Sequence, residues 1–149
     1  MKISTLFKKG LVLLSALCIL SFFAACSADS GSSSGHTGTY EAADLTLLNQ
    51  EMQNDPTTAG MSVERITLTL NADNSCSITM TFRMGTATVD ANVYGSYTYH
   101  SATVTIGTLT GSIYSEPLII DLSSTPLQYE DGKLVYEENG VRETVFVKI

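Results

Sequence analysis

Strict alternation of apolar and polar residues constrains the fold of this chain more than any other feature. In residues 63–71 (VERITLTLN), Ile66, Leu68 and Leu70 alternate with polar or charged side chains, and residues 75–83 (SCSITMTFR) repeat the pattern. A period of two residues is typical of a β-strand with one buried face. The NADNS between them has the composition of a turn. The two segments therefore predict a hairpin with one apolar and one Thr-rich face, and Cys76 falls on the apolar face.

The same period continues through the rest of the chain. A long strand is predicted with one shared face, formed by Val89, Ala91, Val93, Gly95, Tyr97 and Tyr99. His100-Ser101 predicts the next turn, and the apolar residues 113–122 predict a further strand. A final strand, residues 141–149, has Val145, Val147 and Ile149 on one side.

Two dipeptides mark turns near the C-terminus. Asp131-Gly132 and Asn139-Gly140 bracket the segment KLVYEE. Asp-Gly and Asn-Gly readily adopt the left-handed backbone conformation that two-residue hairpin turns require. They predict two successive hairpins.

One segment departs from the period of two. In residues 41–54 (EAADLTLLNQEMQN), Leu45, Leu48 and Met52 recur at the spacing of one helix face, and Pro56 and Gly60 follow. This predicts a short amphipathic helix. A strand through residues 45–48 stays open as the alternative.

Together these elements predict an all-β fold: an up-and-down antiparallel meander of about eight strands with one short N-terminal helix or loop insertion. Closure into a small barrel protects the edge strands of such a meander. A two-sheet sandwich is the alternative, but it usually needs long crossover connections, and the short turns after residue 63 leave little room for them.

The N-terminus has the pattern of a secretory signal. Lys2, Lys8 and Lys9 precede residues 11–25 (LVLLSALCILSFFAA), which carry no charge and end in small residues. This apolar run is shorter than the ~20 residues that cross a bilayer as a helix. We therefore expect a signal peptide over residues 1–25.

The residues at the end of this run resemble the lipobox of bacterial lipoproteins. Phe23-Ala24-Ala25-Cys26 places an apolar and two small residues before a cysteine. The resemblance implies cleavage before Cys26, a diacylglycerol on its sulfur and acylation of the new amino terminus, such as by palmitate. It also implies an extracytoplasmic protein held on a bacterial membrane. Ser27 favours the outer membrane if the cell has two.

The segment after Cys26 has the composition of a flexible tether. Residues 27–38 (SADSGSSSGHTG) contain no large apolar side chain that could join a core. We expect residues 26–37 to be the lipidated tether and residues 38–149 to form one β-barrel domain. Without the three signal lysines, the mature chain has five basic and 15 acidic residues, a net charge of −10. That charge argues against nucleic acid as a partner.

The domain itself resembles the small lipocalin-like lipoproteins of bacteria. The resemblance is carried by Gly38-Thr39-Tyr40, by ITLTLNADNSCSITM, by Gly95-Ser96-Tyr97 within YGSYTYHSATVTI, and by LQYEDGKLVY. It implies a barrel whose interior can hold an apolar ligand. The inward aromatic and sulfur side chains that would line such a pocket are Met80, Phe82, Tyr97 and Tyr99. These residues equally suit a filled core.

No motif in the sequence predicts catalysis, a metal site or a cofactor. The chain has no G-x-S-x-G nucleophile elbow, and its acidic pairs Glu130-Asp131 and Glu137-Glu138 lie beside turns. His36 and His100 have no Cys or His at ligand spacing.

Two hypotheses for the function remain. The first is a non-catalytic, membrane-anchored lipoprotein that binds a small hydrophobic molecule in its barrel. The second is a solid-core structural or interaction module of the cell envelope, with a protein partner and no ligand. An open cavity favours the first, and a filled core with an exposed apolar patch, for example around Tyr94 or Tyr114, favours the second.

Overall fold

The structure, a computed structural model, describes residues 34–56, 58–113, 115–138 and 141–149. The expected signal peptide, Cys26 and residues 27–33 of the expected tether lie outside these residues. Within the described ranges, no helix is long and apolar enough to cross a membrane.

The described chain forms ten strands, one α-helix and a short 3-10 helix at Ser34–His36. In chain order these are β1 (Gly38–Ala42), α1 (Thr46–Asn54), β2 (Met61–Leu70), β3 (Ser75–Met84), β4 (Ala87–His100), β5 (Thr103–Ile106), β6 (Thr108–Ile113), β7 (Glu116–Asp121), β8 (Leu127–Glu130), β9 (Lys133–Glu138) and β10 (Val141–Lys148).

The ten strands close into an antiparallel barrel with eight strand positions. Neighbouring strands run in the order β3-β2-β1-β10-β9-β8-β5-β4, and β3 pairs with β4 to complete the ring. β5 and β6 both pair with β4 and are separated at Gly107, so they occupy one strand position. β8 pairs with β5 and β7 pairs with β6, so these two segments share the next position. The all-β barrel prediction is confirmed, and the sandwich alternative is wrong.

Alternation in β2 and β3 places the residues as predicted. Leu68 lies opposite Ile78 and Ile66 opposite Met80, all facing the interior. The threonines between them face outward. There Thr79 Oγ1 donates a hydrogen bond of 2.7 Å to Asn92 Oδ1. Cross-strand pairs of this kind stabilise each face of a sheet.

Cys76 is a core residue. Its side chain is buried on the inner face of β3, opposite Gly95. Burial raises the pKa of its thiol to about 11, because the thiolate would lose its hydration. It is a free cysteine.

Residues 113–122 do not form the continuous strand that their apolar composition predicts. β6 ends at Ile113 and β7 begins at Glu116, and Ser115 between them has a φ of 65°. The segment therefore includes a hairpin turn. Its position 114 lies outside the described residues.

β10 directs its aromatic residue inward. Phe146 packs against the core opposite Leu134, whereas Val147 and Ile149 are exposed. The pairing of β10 with β1 and β9 sets which residues face inward, and the ladder is irregular between Arg142 and Thr144. Val147, the next residue along the strand, consequently lies on the outer surface.

The predicted helix is confirmed over Thr46–Asn54, and residues 41–42 belong to β1 instead. Met52 is buried, and Leu45 and Leu48 pack against the core. Hydrogen bonding with the side chain of Thr46, and then with its backbone, lowers the pKa of the Asp44 carboxyl. Asp44 Oδ1 accepts a hydrogen bond of 2.8 Å from the backbone N–H of Thr46. This bond satisfies one of the free N–H groups of the first helical turn.

Polar side chains of α1 attach it to the start of β2. Asn49 Nδ2 donates to the carbonyl oxygen of Val63 at 3.0 Å, and the N–H of Val63 donates to Asn49 Oδ1 at 2.7 Å. Gln53 Nε2 donates to the carbonyl oxygen of Met61 at 2.9 Å. The helix therefore lies across the barrel end at which β1 ends and β2 begins.

Candidate functional site

The end of the barrel opposite α1 is closed by the 3-10 helix Ser34–His36. Tyr40 Oη donates to the carbonyl oxygen of His36 at 2.5 Å, and Tyr129 Oη donates to that of Gly35 at 2.8 Å. Lys148 Nζ also donates to Gly35 O, at 3.2 Å. The folded part thus extends into the expected tether, on the N-terminal side of Gly38.

The ring of His36 lies among the tyrosines at this end. It stacks on Tyr99, and it meets Tyr97 edge to face with 3.2 Å between Nε2 and the Tyr97 hydroxyl. Tyr97 Oη also donates to the carbonyl oxygen of Asn71 at 2.8 Å. Burial raises the pKa of Tyr97, and burial followed by the nearby phenol of Tyr129 raises that of Tyr40 to about 12.

The helix end of the barrel contains a cavity of about 700 Å³. Most of the side chains that line it are apolar, and they come from α1, from seven strand segments of the barrel and from residues between these elements. The apolar lining includes Leu45, Leu48, Ile66, Leu68, Ile78, Met80, Ile106, Ile120, Leu122, Leu127, Tyr136 and Phe146. The space is therefore an apolar pocket inside the barrel, of a volume typical of sites for small molecules.

The sheet pairing explains where this pocket opens. β9 pairs with β8 only through residues 133–135, and among the described residues no strand pairs with the outer edge of β7. Ile120, Leu122 and Thr125 line the cavity on one side of this interruption, and Tyr136 and residues 142–146 line it on the other. The wall is thus interrupted beside α1, which borders the same cavity.

Two polar atoms in the cavity wall have no hydrogen-bond partner. They are Oε2 of Glu51, on α1, and Oγ1 of Thr125, on the segment between β7 and β8, and both atoms are buried. Buried polar groups in proteins are nearly always hydrogen-bonded, and leaving one unpaired costs about 1–3 kcal/mol. These two oxygens therefore mark positions where the cavity can bind a polar group.

Acidic residues outnumber basic ones around the cavity. Asp44, Glu51 and Glu143 line it together with one cation, Arg142. The guanidinium of Arg142 is already paired with Glu130 at 2.8 Å and with Glu137 at 3.2 Å. The formal charge of the lining side chains is therefore negative.

Of the four residues predicted to line a pocket, Met80 lines the cavity. Phe82, Tyr97 and Tyr99 belong to the core or pack against it, and the two tyrosines lie at the closed end. Glu51 and Thr125 are not among the residues predicted from the sequence. Glu51 follows Asn49-Gln50 and Thr125 follows Ser123-Ser124, so each stands in a polar run, and its burial depends on elements distant in sequence.

Comparison of the chain with protein-family models, with curated proteins and with solved structures finds no significant match.

The described part of the chain contains no cluster of three or more His, Cys, Asp or Glu side chains arranged to hold a metal ion. On the outer surface, Tyr94 is 61% exposed and Ile119 is 66% exposed. Both lie opposite Thr110, on its two neighbouring strands, so a polar side chain separates them. Tyr114 lies outside the described residues.

Proposed function

We propose that this chain is a lipid-anchored extracytoplasmic protein of a bacterial envelope whose β-barrel binds a small apolar molecule without catalysis. In this proposal Cys26 carries the acyl chains, the Ser/Gly-rich residues after it are the tether, and the cavity next to α1 is the binding site. Several acyl chains on one residue bury enough methylene groups for stable anchoring.

The observation that carries the binding proposal is the apolar cavity of about 700 Å³ inside the barrel. Protein interiors are normally packed as densely as organic crystals, with few voids larger than a water molecule. A barrel that served only as a solid interaction module would be expected to fill this space with side chains. The interrupted wall next to β7 supports the proposal further, because it offers an entry route.

Native mass spectrometry of the protein from its own host tests the binding proposal. The sample is the chain from residue 26 onward with Cys26→Ser, which retains every residue that the structure describes. We expect an additional mass of one small apolar molecule that is lost on denaturation. A protein without such a mass, which also takes up no neutral apolar dye, would support the solid-core module instead.

The anchor is tested separately by metabolic labelling of the full chain with a palmitate analogue. The wild type should be labelled and found in the membrane fraction. Cys26→Ser should carry no label and should be absent from the membrane fraction. Cys76→Ser is the matched control, because it removes a buried cysteine of the barrel and should leave the labelling unchanged. Equal labelling of Cys26→Ser and wild type would contradict the proposed anchor.

A further inference from the structure

We infer that the cavity selects amphiphiles with a cationic, hydrogen-bond-donating head, of the class of long-chain primary amines, over fatty acids and neutral lipids. This inference rests on the proposed function, since it names the chemical class of the molecule that the cavity would bind. Its basis is the polar part of the lining rather than the apolar part.

Glu51 Oε2 is buried in the cavity wall and has no hydrogen-bond partner. A carboxylate only accepts hydrogen bonds, so the group that completes it must be a donor. A primary ammonium carries three donors and no acceptor, and its positive charge is opposite to that of the carboxylate.

Thr125 Oγ1, also buried and unpaired, is a hydroxyl oxygen that accepts a hydrogen bond from a donor as readily as it gives one. It therefore tolerates the same head group. Asp44 and Glu143 add negative charge around the cavity.

The charges of the lining disfavour an anionic head group. A fatty-acid carboxylate in the cavity would face three acidic side chains, whereas the one cation of the lining, Arg142, is already held by Glu130 and Glu137. Like charges at short range in a partly apolar site repel strongly. The rest of the lining suits an alkyl chain, which needs only apolar surface.

The test is displacement of a neutral naphthylamine dye by three probes that share one alkyl chain: dodecylamine, dodecanol and dodecanoate. At neutral pH we expect dodecylamine to displace the dye at about a tenfold lower concentration than dodecanol, with dodecanoate the weakest. Glu51→Gln should lower the affinity for dodecylamine by about tenfold and leave the affinity for dodecanol unchanged. Glu116→Gln removes the same charge from an exposed position that does not line the cavity and should change neither affinity.

The outcomes separate this inference from the proposed function. Equal affinities for the three probes, tighter binding of dodecanoate, or an unchanged dodecylamine affinity in Glu51→Gln would overturn the head-group inference while leaving apolar binding intact. Failure of the dye and of every probe to bind the folded wild type would overturn the proposed function itself. Circular dichroism confirms in each case that the variant is folded.

Discussion

The imidazole ring of His36 lies parallel to the phenol ring of Tyr99, with 3.8 Å between the ring centroids and 10° between the planes. This contact joins a residue of the expected tether to the far end of β4. Together with the hydrogen bonds that Gly35 and His36 accept from tyrosines, it closes the barrel end opposite α1. The cavity at the helix end and the closed end are therefore built from different residues, although β8 and β10 contribute to both.

Removal of the His36 ring should destabilise the barrel. His36→Ala loses the stacked contact with Tyr99 and the edge contact with Tyr97, and aromatic pairs of this kind contribute about 0.5–1.5 kcal/mol each. We expect the free energy of unfolding in urea to fall by about 1–2 kcal/mol. His100→Ala is the control, because within the described residues the ring of His100 hydrogen-bonds to its sequence neighbour Ser101. Equal losses in both variants would show that the closed end contributes nothing specific.

Removal of the Asn49 amide should lower the free energy of unfolding, although this side chain is only partly buried. Asn49→Ala leaves both the N–H and the carbonyl oxygen of Val63 without the partners they have in the wild type. We expect a loss of about 2 kcal/mol in the free energy of unfolding. Gln50→Ala, at an exposed position of the same helix, should cost less than about 0.5 kcal/mol. A similarly small effect for Asn49→Ala would contradict the proposed attachment of α1 to β2.

Stability should decline at alkaline pH. The folded-state pKa values of Cys76 and Tyr40 are raised to about 11 and about 12, from ordinary values of 9.0 and 10.0. Above pH 9 the unfolded chain therefore binds fewer protons than the folded one, so the free energy of unfolding falls as pH rises. Each group contributes at most about 1.4 kcal/mol per pH unit.

Urea titrations between pH 7 and pH 12 measure this decline. We expect a plateau up to about pH 9 and then a fall. In Cys76→Ala the fall should begin about one pH unit later, near the ordinary pKa of tyrosine. Identical profiles for the variant and the wild type would contradict the assigned role of the Cys76 thiol.

Replacement of Thr125 by valine should stabilise the ligand-free protein. The substitution keeps the shape of the side chain and removes a buried hydroxyl that has no partner. We expect a gain of about 1 kcal/mol in the free energy of unfolding. Thr98→Val, on the exposed face of β4, should change it by less than about 0.5 kcal/mol. Destabilisation by Thr125→Val would show that the hydroxyl is satisfied in the apo protein, for example by water.

Much of the barrel can be predicted from local pattern alone. The period of two in β2 and β3 is enough to predict that Ile66, Leu68, Ile78 and Met80 face inward, because alternate side chains of a strand lie on opposite faces. The Asp131-Gly132 turn follows from its dipeptide, and both residues have positive φ, 48° and 78°.

The cavity itself could not be predicted in this way. Inward residues have the same pattern whether they contact each other or a ligand. Phe82 and Tyr97 are buried in the core while Met80 lines the cavity, and this difference arises from the position of α1 and from the missing partner of β7. The choice of Phe146 rather than Val147 as the inward residue likewise depends on pairing with distant strands.

The central claim is that the barrel interior binds an apolar molecule, and saturable binding of a neutral naphthylamine dye tests it most directly. Ile78→Trp fills the cavity from β3, whereas Ile119→Trp adds the same ring at an exposed position on β7. We expect the wild type and Ile119→Trp to bind about one dye per chain, and a folded Ile78→Trp to bind none. Unchanged binding in Ile78→Trp, or no saturable binding in the wild type, would contradict the claim.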